Sequence, residues 1–509
     1  MSFDQDLQAI SESQLSPLPE VHVGDRDLAD VTADALQALQ AANEPPALFC
    51  HGNTLVRVVV DRLGVATIET HSRTTLRYQL ARVASWRKIV RQREGERVIA
   101  VSPPYDVVDD ILAAPGWDFP RLDRVVHAPG YGPDGTLRVA AGYHPSGVWH
   151  QPHSPFDLAI PERPSADQIA AARVLICKEL LGDFPFVGDA ERAHAVALFL
   201  LPFVRDLIDG PTPLHLVEAP TVGTGKGLLV DVTLQPGLGH LPDALPDTGS
   251  DEEWRKRLTT KLKQGASLIL IDNLSGPLDS GALSAALTTR SWEDRLLGQN
   301  KTIVVPVRCC WATTGNNPVL SSELARRTVR IRLDSSVERP WLRDGFRHPD
   351  LRDWADCHRR DITAAALTIL QAWIAAGRPS GDQVLGSYET WAHTLGGILD
   401  VAGVPGFLAN LDDFYEGADT ETQSLYAFVA EWWRLHQERP VTAADLWRIA
   451  GKVQPALPIG DGNEHSQRTR FGFWLKGQRD RVVGHYRIRS AGSYQNAVQW
   501  RLEHPGSEK

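Results

Sequence analysis

The chain has 509 residues, of which 42% are apolar and 23% charged, and a formal net charge of −10. This length allows about two to four domains. The acidic balance argues against a protein that coats nucleic acid with its whole surface, but it is compatible with a local basic patch. The polar N-terminus does not resemble a signal peptide, and no apolar run approaches a membrane span. Five cysteines without metal-type spacing favour buried, reduced thiols in a cytoplasmic protein.

The first two fifths of the chain predict a small domain followed by a connection. Residues 1–20 are polar and are expected to be flexible. Residues 21–152 alternate short β-rich runs such as LVRVVVD with helical stretches such as TTLRYQLARVASWRKIV, which predicts an α+β domain. Residues 153–210 combine a Pro-rich linker with two amphipathic helices forming a collar, the second of them capped by Asp189.

Residues 211–335 have a different pattern. LHLVEA, SLILID, IVVPVRCCWATT and TVRIRLD are compact apolar runs rich in β-branched residues, and helical segments separate them. Such alternation predicts an α/β sheet that is buried on both faces. Residues 336–423 then read as an all-helical region.

A glycine-rich segment, PTVGTGKG, follows the first of these predicted strands and precedes a helical run. Phosphate binding needs a strand that ends abruptly, a turn that exposes backbone N–H groups, and a helix N-terminus directed at the anion. We therefore expect this turn to bind ATP, with the ammonium group of Lys226 on the phosphates. An ordinary strand-to-helix turn is the alternative. The nucleotide-binding residues predicted here are Pro220, Thr221, Val222, Gly223, Thr224, Gly225, Lys226 and Gly227.

Two later strands end in polar residues. GASLILIDN ends at Asp272, a carboxylate placed to hold Mg²⁺ through water. RCCWATTGNNP ends in Asn316 and Asn317, either of which is suited to orient the attacking water or to contact the γ-phosphate. Each strand alone is unremarkable in a buried sheet, but the two in this order after the glycine-rich turn predict a nucleotide site.

Arg326 and Arg327 lie between a short helix and the last predicted strand. In a ring of identical subunits, such an arginine reaches the neighbouring site and neutralises transition-state charge. The alternative is a pair of arginines that caps a helix C-terminus, where positive charge is favourable.

The C-terminal residues 424–509 predict three helices followed by a β-hairpin with AGSYQN at its turn, which is the winged-helix pattern. Eight Lys and Arg residues stand against two acids over residues 462–501, although the whole chain is acidic. A solvated basic face, or a winged helix that binds protein, is the alternative to DNA binding. The DNA contacts predicted here are Arg468, Arg470 and Lys476 in the third helix and Arg487 and Arg489 beside the wing.

Two weaker signals receive structural interpretations. His144, His150 and His153 lack the fourth ligand of a closed metal site. Trp432 and Trp433 are predicted to pack between helices rather than to stack on bases.

The ordered set PTVGTGKG, LILIDN, ATTGNN and ELARRTVRIRL resembles the AAA+ ATPases, in particular the superfamily 3 and MCM-like replicative helicases of phages, plasmids and integrative elements. The resemblance implies an α/β P-loop AAA+ core with an N-terminal α+β domain, an all-helical region after the core and a C-terminal winged helix. It also implies ATP and Mg²⁺, single-stranded or forked DNA as partner, and a homo-oligomer, most simply a hexamer. The segment SWEDRLLGQNKTIVVPVRCCW matches the DNA-contacting hairpin of that group, with Lys301 near its tip. No primase segment is recognised before the motor, so a separate primase is expected.

Three residues depart from the family pattern. Pro220 stands where the loop pattern has its first glycine. Gly227 lacks the hydroxyl that ligates Mg²⁺, so Thr224 or water must complete the shell. Asn273 replaces the glutamate that polarises the lytic water, a function worth about 10²–10⁴ in rate. We expect slow hydrolysis by an ATP-dependent helicase or translocase that replicates a mobile element. A nucleotide-binding initiation or scaffold protein with little hydrolysis, and a defence-associated ATPase that acts on proteins, are the alternatives.

Overall fold

The computed structural model describes residues 18–62, 64–93, 95–152, 157–274, 278–295, 302–418, 420–454, 456–457, 459, 464–494 and 497–504. They form two compact units. The first comprises Met1–Ser275, Ser280–Asn317 and Val329–Leu408, and the second comprises Gly276–Asp279, Pro318–Thr328 and Ala409–Lys509. The predicted N-terminal domain and central sheet therefore lie in one unit.

The N-terminal part of the first unit is built from small sheets and three helices. The sheets have the strand orders β1-β5-β6, β2-β3-β4, β10-β11-β7 and β8-β9. The elements are β1 (Glu20–Val23), α1 (Leu28–Ala41), β2 (Phe49–His51), β3 (Thr54–Val60), β4 (Ala66–Thr70), α2 (Arg73–Val83), β5 (Ser85–Gln92), β6 (Gly95–Ala100), α3 (Tyr105–Ala113), β7 (Arg124–Val126), β8 (Gly130–Tyr131), β9 (Leu137–Arg138), β10 (Gly142–His144) and β11 (Val148–His150).

The helix predicted over TTLRYQLARVASWRKIV is wrong in its second half. Helix α2 ends at Val83, and SWRKIV belongs to strand β5. Trp86 decides this difference, because its side chain is buried in the N-terminal core and its indole N–H donates to the carbonyl oxygen of Leu80 at 3.0 Å. Tertiary packing therefore overrides the helical pattern here.

The connection to the central sheet is helical. It consists of α4 (Ala166–Val174), a π-helical segment (Leu175–Leu180), α5 (Asp189–Val204) and a 3₁₀ turn (Arg205–Leu207). Asp189 is the first residue of α5 rather than its cap, which is Gly188. A carboxylate in the first turn still favours the helix, because it opposes the positive end of the macrodipole.

The central sheet is five-stranded, with the order β13-β14-β17-β12-β18. Its strands are β12 (Leu214–Ala219), β13 (Ala244–Pro246), β14 (Leu268–Leu274), β17 (Cys310–Asn316) and β18 (Thr328–Arg332). The pairs β12–β17, β14–β17 and β13–β14 are parallel. All six residues of β12 are buried, as expected for a strand covered on both faces. The predicted mixed α/β fold with a parallel sheet is thus observed.

Helices α6 (Lys226–Leu238), α7 (Asp251–Lys263) and α8 (Gly281–Thr288) connect the strands of this sheet. An antiparallel hairpin, β15 (Ser291–Arg295) with β16 (Thr302–Pro306), precedes β17 as the sequence predicts. Lys301, predicted near its tip, lies outside the described residues.

The helical region that follows β18 begins later than predicted. Residues 333–350 contain only a 3₁₀ turn at Pro340–Leu342. The helices are α10 (Leu351–Cys357), α11 (Arg359–Ala375) and α12 (Glu389–Ala402), after the short α9 (Ser322–Ala325) of the second unit.

The second unit contains α13 (Leu411–Ala418), α14 (Thr420–His436), α15 (Ala443–Ala450) and α16 (Glu464–Gly477). Strands β19 (Val441–Thr442), β20 (Val482–Val483), β21 (Tyr486–Tyr494) and β22 (Ala497–Glu503) form an antiparallel sheet in the order β19-β22-β21-β20. Strand β21 continues through Tyr494, with an irregularity between Ser490 and Ser493, and β22 begins at Ala497, so the two strands connect within the predicted AGSYQN.

The structure adds two facts on the environment of the chain. Among the described residues, no helix combines the length and apolarity needed to cross a bilayer. The five cysteines, all of them described, are unpaired. Only Cys309 and Cys310 are buried, and Cys357 is exposed, so the prediction of buried thiols holds for part of the set.

The buried side chain of His194, on α5, forms hydrogen bonds with two segments of the first unit that are distant in sequence. Its Nδ1 donates to the carbonyl oxygen of Arg330 at 2.8 Å, and its Nε2 accepts from the backbone N–H of Leu408 at 3.0 Å. Because the ring is fully buried, its pKa falls from 6.5 to about 4. In the unfolded chain, His194 therefore binds a proton below about pH 6.5, whereas in the folded chain it does so only near pH 4. Its burial consequently lowers the stability of the fold as the pH falls through this range.

We predict that His194→Gln, which retains one donor and one acceptor, reduces the acid sensitivity of the fold. At pH 5 the buried histidine costs about 2 kcal/mol of unfolding free energy relative to pH 7.5. Chemical denaturation at both pH values measures the difference, with His465→Gln at an exposed position as control. Equal pH dependence in all three proteins would contradict the assignment.

Candidate nucleotide site

The glycine-rich turn joins β12 to α6 at the carboxyl edge of the central sheet. Gly223 and Gly225 have φ angles of 76° and 102°, a backbone region that favours glycine. The hydroxyl of Thr224 donates to the carbonyl oxygen of Thr221 at 2.8 Å, which closes the turn on itself. Thr224 was expected to supply Mg²⁺ with the hydroxyl that Gly227 lacks. Its hydroxyl is instead buried and already hydrogen-bonded.

Helix α6 begins at Lys226. The first N–H groups of a helix have no intrahelical acceptor, and they carry the positive end of the macrodipole. Thr221, Val222, Gly223 and Gly227 are exposed around this helix start. The geometry matches that of an anion-binding turn.

Lys226 contacts the end of the neighbouring strand. Its Nζ donates to Oδ1 of Asn316 at 2.6 Å. Partial burial lowers the pKa of Lys226, and the carboxylate of Asp272 acts in the opposite direction. The ammonium group thus lies within electrostatic reach of Asp272 and in direct contact with Asn316, so the structure brings these three predicted residues together.

Thr314 positions Asp272. Its hydroxyl donates to Oδ1 of Asp272 at 2.5 Å and accepts from the backbone N–H of Asn273 at 2.8 Å. Asp272 is exposed, so its carboxylate is accessible to another ligand. Thr314 was missed at the sequence level, although the polar run ATTGNN at a strand end was the signal.

Asn273 has a left-handed backbone with φ 58°. Asn tolerates this conformation better than most residues with a side chain, for which the left-handed backbone costs roughly 1–2 kcal/mol. The replacement of glutamate at this position is therefore matched to the local backbone.

Asn317 is held away from Lys226 by another set of contacts. Nη1 of Arg332 lies 2.7 Å from Oε1 of Glu218 and 3.0 Å from Oδ1 of Asn317. The backbone N–H of Asn317 donates to the carbonyl oxygen of Ala219 at 3.2 Å. Of the two candidate amides, Asn316 is the one that contacts the lysine.

Magnesium fits this site only together with phosphates. Among the described residues, no group of three or more His, Cys, Asp or Glu side chains is arranged to hold a metal ion. One exposed carboxylate beside a phosphate-binding turn is, however, the arrangement in which Mg²⁺ retains several waters and shares phosphate oxygens.

Aromatic side chains flank the glycine-rich turn, and sequence reasoning missed them. A methyl group built on Gly223 would lie 3.1 Å from Cβ of Trp341, and one on Gly225 would lie 3.5 Å from Cε1 of Phe184. Trp341 is 57% exposed, so its ring is open to a ligand. Flat aromatic faces beside a phosphate-binding turn suit a nucleobase. In the sequence, these two aromatic residues belong to the segments DFPF before β12 and PWLRDGF after β18.

The two predicted arginines belong to the second unit and differ in environment. Arg326 is exposed. Arg327 lies 3.2 Å from the carboxylate of Glu323, and it donates to the carbonyl oxygen of the same residue at 2.7 Å. Arg326 is therefore the better suited of the two to reach another molecule.

The predicted DNA contacts of the second unit are unequal. Lys476 is exposed, and Arg487 is partly buried. Arg468 forms an ion pair with Glu464 at 2.7 Å, and Arg489 forms one with Asp480 at 2.7 Å. These internal pairs reduce the positive charge that the two arginines offer to a phosphate.

The face of α16 near Arg470 carries a residue that sequence reasoning missed. Arg470 donates to the hydroxyl of Ser466 at 2.9 Å. Phe473, one turn further along α16, is 72% exposed. An exposed aromatic ring among basic residues suits stacking on a base.

The weaker signals have structural explanations in the described residues. His144 and His150 each hydrogen-bond the carbonyl oxygen of Ala140, and His153 lies outside the described residues. Trp432 is fully buried within the second unit. Trp433, predicted to pack between helices, instead stacks on Tyr486 of strand β21, with ring centroids 4.3 Å apart.

No protein-family model matches the chain, and no curated protein matches it. Solved structures with a similar chain course include the apo NrS-1 C-terminal region, at 10% identity and TM-score 0.36, covering 88% of this chain and 95% of that one. The SCCmec type IV Cch active helicase matches at 9% identity and TM-score 0.34, covering 90% and 97%. The JCV helicase matches at 14% identity and TM-score 0.24, covering 50% and 61%. Because these TM-scores are low, function must be argued from the residues of this chain.

Gly227 offers a direct test of the site. A methyl group built there meets no atom within 4 Å, so a serine side chain fits at the start of α6. We predict that Gly227→Ser binds a fluorescent, non-hydrolysable ATP analogue about tenfold more tightly in Mg²⁺ than Gly227→Ala, because the hydroxyl adds a metal ligand worth about 1.4 kcal/mol.

Gly227→Ala is the matched control, since it also adds a Cβ at the start of α6 but has no hydroxyl. With the metal chelated, the two variants should bind the analogue equally. Equal affinities in the presence of Mg²⁺ would contradict a metal site next to residue 227.

Proposed function

We propose that this chain is an ATP-dependent DNA helicase or translocase of the AAA+ type, which acts in replication of a mobile genetic element. One observation carries the proposal. The Lys226 ammonium group at the glycine-rich turn bonds Asn316, while Asp272 at the next strand but one is held by Thr314. Cation, amide and carboxylate thus meet at the edge where parallel α/β sheets bind ligands.

Each residue has a distinct part in ATP hydrolysis. The backbone N–H groups of the turn and the Lys226 ammonium group bind the phosphates. Asp272 would hold Mg²⁺, which supplies charge neutralisation on the phosphates when bound. Asn316 orients the γ-phosphate or the attacking water, and Trp341 faces the base.

Completion of the site requires a second copy of the chain. We assign Arg326 to the neighbouring site, because it is exposed whereas Arg327 is paired with Glu323 of its own chain. A closed ring, most simply a hexamer, places one such arginine at every site.

DNA contacts are assigned to the hairpin β15–β16 and to the second unit, which we interpret as a winged helix. Helices α14, α15 and α16 and the antiparallel sheet form this fold, and α16 carries the exposed Lys476 and Phe473. Lysine neutralises backbone phosphate, and the aromatic ring stacks on a base. A separate primase would supply primers.

A nucleotide-binding initiation or scaffold protein is the second candidate. Gly227 and Asn273 favour it, because the first removes a ligand of Mg²⁺ and the second removes the group that polarises the lytic water, while the phosphate-binding turn is kept. Such a protein would assemble with a non-hydrolysable ATP analogue, as native mass measurement would detect, yet separate no strands in a displacement assay.

We predict that Lys226→Ala and Asp272→Ala each lower ATP hydrolysis about 10²-fold or more, because each removes a charge that stabilises the transferring phosphate. Hydrolysis is measured with and without single-stranded DNA. Lys88→Ala, at an exposed position on β5, serves as control and should keep the wild-type rate. Wild-type hydrolysis no faster than that of the two site variants would refute the motor and leave the second candidate.

We further predict that Arg326→Ala abolishes hydrolysis alone but recovers it when mixed with inactive Lys226→Ala. In a random mixed ring, about a quarter of the sites combine an intact lysine with an intact neighbouring arginine. Arg327→Ala, the matched control, should lose less activity on its own. Failure of the mixture to hydrolyse ATP, in assemblies shown to contain both variants, would overturn the assignment of Arg326 to the neighbouring site.

A further inference from the structure

A solvent-open cavity of about 510 Å³ lies beside the base of the hairpin. Its lining includes Gly52 from the turn between β2 and β3, Val304 from β16, and three arginines with two aspartates. The charged residues are Arg121, Asp123, Asp209, Arg290 and Arg308. The N-terminal sheets, the connection and the hairpin thus all contribute to one basic cavity within the first unit.

The arginines of the cavity have weak and incomplete partners. Arg290 pairs with Asp209 at 2.8 Å, and both side chains are about two-thirds exposed, at 68% and 71%. Arg121 pairs with Asp123 at 3.2 Å. The exposed Arg290–Asp209 pair contributes only about 0–1 kcal/mol. Arg121 is itself 67% exposed, although Asp123 is nearly buried, and a guanidinium has five donors, so phosphate oxygens can compete for both arginines.

A second layer of positive charge lies directly behind the cavity wall. Nη2 of Arg205 donates to the carbonyl oxygens of Gly210 at 2.9 Å and Val307 at 3.4 Å, and both residues line the cavity. Arg124 and Arg138 form ion pairs with the buried Asp206, which also lies within electrostatic reach of Arg205.

Asp206 stays ionised in this cluster. Although burial acts to raise its pKa, the neighbouring Arg124 and Arg138 bring it down to about 2. Counting the lining and the layer behind it, six arginines face three aspartates. The excess of positive charge, partly screened from water, favours an anion in the cavity.

The cavity is joined to the hairpin by hydrogen bonds. The backbone N–H of Asn53 donates to the carbonyl oxygen of Val304 at 3.2 Å, and its Oδ1 accepts from the Val304 N–H at 3.0 Å. Its Nδ2 donates to the carbonyl oxygen of Thr302 at 3.0 Å. A Cβ at Gly52 would lie 1.6 Å from the Val304 carbonyl oxygen, so this close approach needs glycine.

We propose that this cavity binds backbone phosphates of single-stranded DNA, so that the N-terminal sheets hold the strand next to the hairpin. The identity of the ligand as a DNA strand rests on the proposed function. The chemistry of the cavity, arginine donors on a phosphate anion, does not depend on it.

The test uses the full chain and a fluorescein-labelled single-stranded oligonucleotide, with binding followed by anisotropy over a salt series. Arg121→Gln/Arg290→Gln should bind about tenfold more weakly, and the slope of log affinity against log salt should fall by about 1.4, the contribution of two phosphate contacts. Hydrolysis without DNA and thermal stability should match wild type. Arg91→Gln/Arg97→Gln, with the same charge change at exposed positions on β5 and β6, should retain wild-type binding.

Each other outcome is decisive. If Arg121→Gln/Arg290→Gln has the same salt slope and DNA affinity as the control variant, while the wild-type chain hydrolyses ATP, the inference is overturned and the proposed ATPase function stands. If the double variant has a smaller salt slope but the wild-type chain hydrolyses no ATP, the cavity assignment is supported and the proposed ATPase function is refuted. If pyrophosphate raises the melting temperature of wild type but not of the variant, while oligonucleotide binding is equal, the cavity takes a small phosphate and the DNA assignment is wrong.

Discussion

The position of β17 between β12 and β14 is the constraint on which the candidate site depends. Because β17 touches both neighbours in parallel register, its last residues reach the glycine-rich turn on one side and Asp272 on the other. Asn316 then bonds Lys226, and Thr314 bonds Asp272. A strand order that separated these three strands would leave the same residues without a common edge.

Gly227 and Asn273, two of the departures from the phosphate-loop ATPase pattern, have different physical meanings. Gly227 leaves open space where a hydroxyl fits, so its effect is a missing ligand in an otherwise permissive place. Asn273 lies in a left-handed backbone conformation, so its identity follows from the chain geometry after β14 as well as from chemistry. The first departure concerns metal affinity, and the second concerns water activation.

Sequence patterns predicted the parts of this structure that depend on local chemistry. The glycine turn and the apolar strands carry short-range signals, whereas the hairpin before β17 was expected from the family resemblance. The strand assignment of SWRKIV was missed because Trp86 is fixed by distant packing. Trp341, next to Gly223 but more than a hundred residues later in the chain, was missed for the same reason. The difference between Arg326 and Arg327 depends on Glu323, a contact that sequence order alone does not rank.

The most direct measurement of the central claim is calorimetric titration of a non-hydrolysable ATP analogue into the full chain, with and without Mg²⁺. The location of Lys226, Asn316 and Asp272 at one edge of the sheet predicts saturable binding that strengthens with the metal. Thr314→Val, which removes the hydroxyl holding Asp272, should reduce the metal-dependent gain and leave metal-free binding unchanged. Absence of saturable binding, or a metal-dependent gain identical in wild type and Thr314→Val, would contradict the account.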